Sequence, residues 1–397
     1  MTNDREAVIV SAVRTPIGRF QGTLAPLSAS ELGATAIKAA VERAGVDPSA
    51  VDEVLMGCVV QAGQGQAPAR QASIKAGIPP TVGATTVNKI CGSGLKTVML
   101  AAAMIGVGDA DIVVAGGMES MNNGPYMLPR ARFGYRLGHG QLLDATVHDG
   151  LWCTFENQHM GNAAEWVARE YGLTRQELDE FALKSHQKAI AAIDAGRFRD
   201  EITPVLVPQR KGEPILFDTD EAPRRDTSLE ALSRLKPVFQ KDGMVTAGNS
   251  PGITDGAAAT VVMSRARAEK LDIKPLARIT GYAQAAVRPL EVFTAPIFAV
   301  RRLLERTGTT LDDYDLIEVN EAFAAQVLAD GKVLGLDWDK VNVNGGAIAL
   351  GHPIGCSGTR VLVTLIYALR DRGLKAGFAT LCLGGGEAVA MSIELEF

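Results

Sequence analysis

Cys91, Asn320, His352 and Cys382 each lie in a run of small residues that packing alone does not call for. The four settings are Lys89-Ile90-Cys91-Gly92-Ser93-Gly94, Val319-Asn320-Glu321-Ala322-Phe323, Gly351-His352-Pro353-Ile354-Gly355 and Leu381-Cys382-Leu383-Gly384-Gly385-Gly386. Two separate thiols and an imidazole suffice for carbon–carbon bond chemistry on thioesters. One sulfur carries an acyl group as a covalent intermediate while the other moves a proton.

Each setting has a chemical reading and a plainer one. Cys91 precedes glycines and an apolar segment that reads as a helix from Leu95 to Ile105. Its thiol then sits at a helix N-terminus, where free amides and the helix dipole favour a thiolate, and the glycines let backbone and substrate approach closely. Taken alone, the motif describes a buried cysteine in a tight turn equally well. His352, held between Gly351 and Pro353, is the candidate base among five histidines, although a structural histidine fits the same loop. His139, His148 and His186 have polar or glycine neighbours and read as solvated or as local hydrogen-bond donors. Cys382 ends an apolar strand, which places its thiol at a sheet edge, and the glycines after it offer bare amides to an oxyanion. Asn320 ends the strand Leu316 to Val319 where a core residue would be apolar. It holds a water or a carbonyl there, or it simply caps a helix beginning at Glu321.

The elements that carry these residues form a weak internal repeat. Asp52 to Gly57 leads to the glycine turn at Cys91, and Asp315 to Asn320 leads, at a similar spacing, to the turn at Gly355. A helical segment follows each turn, Leu95 to Ile105 and Thr359 to Leu369, and then a strand closed by glycines, Asp111 to Ala115 and Ala379 to Leu383. Strands alternating with helices predict mainly parallel sheets covered on both faces, here as a duplicated α/β fold. Between the halves, residues 122–249 are richer in charge, proline and helical signals. Capping boxes open helices at Thr174-Arg-Gln-Glu177 and Thr227-Ser-Leu-Glu230 there, as Ser28-Ala-Ser-Glu31 does in the first half, with stops at Gly196 and Gly45. The middle reads as an inserted loop domain, between a first half of residues 1–121 with 250–273 and a second half of residues 274–397.

At 397 residues, 47% hydrophobic and 21% charged, the chain is a well-buried globular protein of two or three domains. A net charge of -5 argues against nucleic acid or an acidic membrane as the main partner. No apolar run is expected to reach membrane-spanning length, no secretory or peroxisomal signal is read, and the expected location is cytoplasmic. The five cysteines lack zinc-site or disulfide-scaffold spacing, so reduced thiols are expected, with Cys58, Cys153 and Cys356 simply packed.

Over nearly its whole length the chain resembles the thiolase family. The resemblance rests on the Cys91 motif, His159-Met160-Gly161, Val245-Thr-Ala-Gly-Asn249, Asp255-Gly-Ala-Ala258, Asn320-Glu-Ala-Phe323, Gly345 to Gly358 and Cys382-Leu-Gly-Gly385. It implies a layered α-β-α-β-α fold and a reversible Claisen condensation of two acyl-CoA molecules through an acyl-cysteine. By that resemblance Cys91 is the nucleophile, His352 activates it, and Cys382 is the acid/base for the α-proton. His352 with a water on Asn320 stabilises the enolate, and the amides of Cys91 and Gly384 form a second oxyanion hole. The insert would hold CoA, with Arg224 beside the adenine, Arg210, Lys211 and Arg225 near the phosphates, and His159, Met160, Phe239, Ala247, Ser250 and Phe323 along the pantetheine and acyl tunnel. No metal or redox cofactor is implied, CoA being a substrate and product. The segment from Asn122 to Asp149 resembles the arm that pairs dimers into a homotetramer.

Two departures bear on the substrate. Pro251 replaces a serine that contacts pantetheine in many thiolases, and Val292-Phe293 replaces a flexible residue and a glycine near the acyl pocket. His159-Met160-Gly161 favours the short-chain, acetoacetyl-CoA-forming type. The alternatives are a degradative 3-oxoacyl-CoA thiolase of broader chain length, a β-ketoacyl-synthase-like condensing enzyme, which Cys382 in place of a second histidine argues against, and a non-catalytic acyl-CoA-binding protein.

Overall fold

The computed structural model describes residues 4–396. Eight consecutive buried residues, Ala7–Arg14, form β1, a pattern that fits a strand covered on both faces. The first half adds β2 (Glu53–Gly57), β3 (Gly83–Val87), β4 (Ile112–Ser120) and β5 (Thr254–Ser264), in the spatial order β1-β5-β4-β2-β3. The second half has β6 (Ala277–Ala286), β7 (Leu316–Val319), β8 (Ala376–Leu383) and β9 (Glu387–Leu395), in the order β6-β9-β8-β7. A parallel bridge from Ile317 to Val341 stands where the first half has β3. The two orders are the same motif twice, so the repeat in the sequence is a repeat in space. β1 and β6 join through the pairs Val8–Arg278 and Ile9–Ala277, giving a sheet of these nine strands among the described residues, with the two-residue strand Gly18–Arg19 paired to β5 as a tenth.

The strands are mixed rather than mainly parallel. β2 pairs in parallel with β3 and β4, and β7 with β8, but β1/β5, β4/β5, β6/β9 and β8/β9 are antiparallel. The turn at Gly384–Gly386 folds β8 straight back into β9, and β5 re-enters between β1 and β4 after the long insertion. Neither connection has a crossover helix, which parallel pairing would need.

Helices α1 (Ala29–Ala44) and α2 (Pro68–Lys75) cover the outer face of the first half. Next in the chain come α3 (Ser93–Val107), α4 (Met160–Glu170), α5 (Arg175–Asp194), α6 (Ala295–Thr307), α7 (Ala324–Leu334) and α8 (Ile354–Arg372). α6 covers the outer face of the second half, while α3 and α8 pack against each other between the two halves of the sheet. The result is the five-layer α-β-α-β-α arrangement. Two capping boxes are present as expected, at Ser28/Glu31 and Thr174/Glu177. The third is not: Ser228, not Thr227, caps a short helix, Leu229–Ser233, and the Glu230 carboxylate reaches forward to Arg234.

Against expectation, one stretch does have membrane-spanning length and apolarity, Ile90–Val107 with a mean hydropathy of 1.7 over 18 residues. It contains α3, whose Leu95, Val98, Met99 and Ile105 lie in the main core, so its apolar character is used against the sheets and α8.

Candidate active site

Cys91 and His352 occupy equivalent places in the repeat, each two residues ahead of a central helix, α3 or α8. The two helices cross at glycines. A Cβ on Gly358 would lie 2.3 Å from the Leu95 nitrogen, and one on Gly94 would lie 2.6 Å from Thr359 Oγ1. This close crossing brings the two N-termini, and with them the thiol and the imidazole, to one cavity of about 290 Å³ that Cys382 and Gly384 also line.

The turn that presents Cys91 is strained. Ile90 has φ 46, a left-handed conformation that a β-branched residue adopts only under constraint. Ser93 supplies the constraint: its Oγ accepts from Lys89 N at 2.8 Å and donates to Ile90 O at 2.6 Å. The Ile90 side chain in turn lines the cavity. Cys91 and Gly384 line the same cavity, and the backbone N–H groups of both residues act to favour the ionised sulfur. The expected thiolate is nevertheless not the resting form. Burial pushes the Cys91 thiol up to about 12 against those two donors, with a further push from the charge of Glu119.

His352 is buried and its proton is placed by Ser357. The Ser357 hydroxyl donates to Pro353 O at 2.9 Å, so toward His352 Nδ1, 2.6 Å away, it accepts. Nδ1 therefore carries the hydrogen and Nε2 keeps its lone pair. Burial, and then the Arg360 charge, hold the ring far below the usual histidine range, at about 3. The pair rests as neutral thiol and neutral imidazole.

Cys382 is buried near the end of β8. That strand is flanked by β7 and β9, so the thiol sits at a strand end within the sheet rather than at its edge. Burial and the neighbouring Cys91 and Asp330 charges raise its thiol well above the ordinary range. Asn320 is fully buried, and α7 starts only at Ala324 with Phe323 ahead of it, so Asn320 is not a helix cap. Its Nδ2 lies 3.5 Å from both His352 ring nitrogens, a contact with the ring rather than a bond to either, and its Oδ1 has no partner. The loop is anchored by Glu321, which accepts from Ser185 Oγ (2.7 Å), Asn342 Nδ2 (2.9 Å) and Ile348 N (3.0 Å).

Aromatic rings form the cavity wall. His159 stacks on Phe239 with centroids 4.7 Å apart, and Phe323 meets Phe239 and Phe293 edge-on. Gly161 leaves room for this wall, since a Cβ there would come 2.2 Å from the Phe239 ring. Met160, Ala247, Ser250, Pro251 and Val292 also line the cavity, but the Ser250 hydroxyl is already committed to Thr246 O at 2.8 Å. Arg224 is exposed and outside the lining. Its backbone N–H donates to His186 Nδ1 at 3.2 Å. His186 is buried rather than solvated, and acts there as an acceptor; burial and then the Arg224 charge lower it to about 4. His148, more exposed, pairs with Asp149. Arg210 and Lys211 are exposed, and Arg225 is paired with Asp194. All five cysteines are free thiols, with Cys58, Cys153 and Cys356 buried. Among the described residues no group of three or more His, Cys, Asp or Glu is placed to hold a metal ion.

Ile90 and Met121 in the cavity lining, Ser357 against His352 and Glu119 behind Cys91 stand in no motif that marks them in the sequence. A glutamate inside the apolar strand Ile112–Ser120 was the one readable signal, because an unpaired charge is not buried without a reason.

A duplicated five-layer α/β fold with two thiols and an imidazole in one apolar cavity is the architecture of a thiolase. Residues 7–266 match the thiolase N-terminal domain and residues 273–395 the thiolase C-terminal domain, and the chain belongs to the thiolase family. It is 57% identical over 392 residues to an acetyl-CoA acetyltransferase of Pseudomonas aeruginosa, covering 99% of this chain and 100% of that one. An acetyl-CoA acetyltransferase of Escherichia coli is 56% identical over 391 residues, covering 98% and 99%. The crystal structure of the Bacillus anthracis acetyl-CoA acetyltransferase superimposes with a TM-score of 0.97 at 45% identity, covering 98% of this chain and 99% of that one.

Proposed function

We propose that the chain is an acetyl-CoA C-acetyltransferase that condenses two acetyl-CoA molecules to acetoacetyl-CoA and free CoA, and runs the thiolysis in reverse. The observation that carries this reading is the convergence of Cys91, His352, Cys382 and Gly384 on one narrow, aromatic-walled cavity. In the first half-reaction the Cys91 sulfur attacks the thioester carbonyl and its proton passes to the free Nε2 of His352. The carbonyl oxygen takes the charge at the N–H groups of Cys91 and Gly384, and the departing CoA sulfur takes the proton from His352. Such donors are each worth about a hundredfold or more in rate. In the second half-reaction the Cys382 thiolate removes the α-proton of a second acetyl-CoA. The enolate carbon bonds to the acyl carbon, the carbon–sulfur bond breaks, and the departing Cys91 thiolate takes from Cys382 the proton just abstracted, which restores the Cys91 thiol and the Cys382 base. The unpartnered Oδ1 of Asn320 is available to a water beside the enolate. The insert of residues 122–249 holds the CoA moiety, with its adenine toward Arg224.

CoA-dependent cleavage of a 3-oxoacyl-CoA series tests this reading. Acetoacetyl-CoA should be cleaved fastest, and Cys91→Ala should abolish the activity. Equal or better turnover of medium-chain substrates would make the enzyme a degradative thiolase, a reading favoured by Val292 and Phe293 in the cavity wall. The expected assembly is a homotetramer. Phe133, Leu137 and Leu142 in the arm are 86%, 102% and 60% exposed, an apolar display that monomers seldom carry without a partner. Sedimentation should give a tetramer for the wild type and a smaller species for Leu137→Asp; an unchanged tetramer in the variant would remove the arm from the interface.

A further inference from the structure

Glu119 is fully buried near the C-terminal end of β4, and the reaction steps above make no use of it. Its Oε2 accepts from the backbone N–H groups of Val59 at 3.0 Å and Gly355 at 2.9 Å, and its Oε1 from Val60 N at 3.1 Å. The Cys58 thiol lies 3.8 Å from Oε1. Three segments therefore meet on one carboxylate: β4, the loop that follows β2, and the first turn of α8. The first two belong to the half that carries Cys91. The third begins two residues after His352.

The seam around this carboxylate has no room for other side chains. A Cβ on Gly117 would lie 2.0 Å from Gly355 O, one on Gly57 would lie 2.8 Å from the same oxygen, and one on Gly355 would lie 2.7 Å from Glu119 Oε2. Backbone thus touches backbone across the two halves, and such contact fixes distance but not angle. A carboxylate accepts from every side and donates nothing, so it can hold three N–H groups at once. The isosteric amide would turn donors toward at least one of them.

We propose that Glu119 is the positioning residue that fixes the His352 loop against the Cys91 half, so that base and nucleophile keep their relation through both half-reactions. This rests on the thiolase reading of the site. Burial first raises the Cys58, Cys91 and Cys356 thiols, and the charge of Glu119 adds to it at each, with Arg360 and Arg14 opposing at Cys356. Burial brings Glu119 itself up to about 7, so its effect on Cys91 switches on across neutral pH.

The test compares wild type with Glu119→Gln. In acetoacetyl-CoA thiolysis the variant should lose kcat by about a hundredfold, the scale of a roughly 1 Å misplacement, with little change in KM. In the absence of substrate, the rate of Cys91 alkylation by iodoacetamide, followed by mass spectrometry, should rise with pH in the wild type and flatten near pH 7 as Glu119 ionises. The variant should rise without that bend. A wild-type kcat in the variant, or a bend that survives the substitution, overturns the proposal. Should the variant not accumulate as folded protein, the wild-type profile decides, and a profile with no bend overturns the proposal. A bend in a wild type that cleaves no 3-oxoacyl-CoA would count against the thiolase reaction and leave the assignment of Glu119 standing.

Discussion

Ser357 decides which nitrogen of His352 is basic. Its hydroxyl hydrogen is committed to Pro353 O, so it can only accept from Nδ1. Ser357→Ala frees the ring to take the other tautomer and removes its nearest fixed partner. We expect kcat to fall by about tenfold or more, as for other groups that orient a catalytic histidine, with Cys91 alkylation little changed. Unchanged turnover would show that packing alone orients the ring. Cys91, His352, Cys382 and Asn320 were legible in the sequence because each sits among glycines or interrupts an apolar pattern. Ser357 and Glu321 were not, since a serine in a helix and a glutamate beside an asparagine are ordinary neighbours. What gives them their roles is contact with residues far away in the chain, Ser185 and Ile348 for Glu321 among them.

At the scale of elements, the sequence carried the helices well because their ends are marked by local chemistry. Ser28 with Glu31 and Gly45, and Thr174 with Glu177, are bounded as their caps require. Strand direction was not legible. The alternation of β and α segments pointed to parallel pairing, but β4 and β8 each meet an antiparallel neighbour, β5 and β9. Direction is set by the connection, and Gly384 serves at once in the hairpin turn between β8 and β9 and in the lining beside Cys91. A sequence pattern that does two jobs discloses only one. The same holds for Gly94 and Gly358. They read as glycines around a nucleophile and a base, and their main effect is to let α3 and α8 cross closely enough to deliver both groups to one cavity.

At the scale of the whole molecule, the insert is tied to the core by charge as well as by apolar packing. Arg14, at the end of β1, is fully buried and donates to Glu201 Oε1 at 2.6 Å and to both oxygens of Asp220 at 2.7 and 2.8 Å. Asp220 also accepts from Ile17 N at 2.8 Å, and Ile202 of the insert bridges to Arg14 along the backbone. Removing Arg14 from such a network leaves two buried carboxylates without their counterpart, which typically costs about 3–5 kcal/mol, more than the pairs contributed by forming. Arg14→Met should therefore lower the free energy of unfolding, measured by denaturant titration, by about that much. Turnover per folded molecule should stay near that of the wild type, because neither Arg14, Glu201 nor Asp220 lines the catalytic cavity. Stability within about 1 kcal/mol of the wild type would place the variant among ordinary surface changes and leave the apolar contacts as what holds the insert. A loss of turnover without loss of stability would instead mean that the seating of the insert tunes the cavity through the loops that line it.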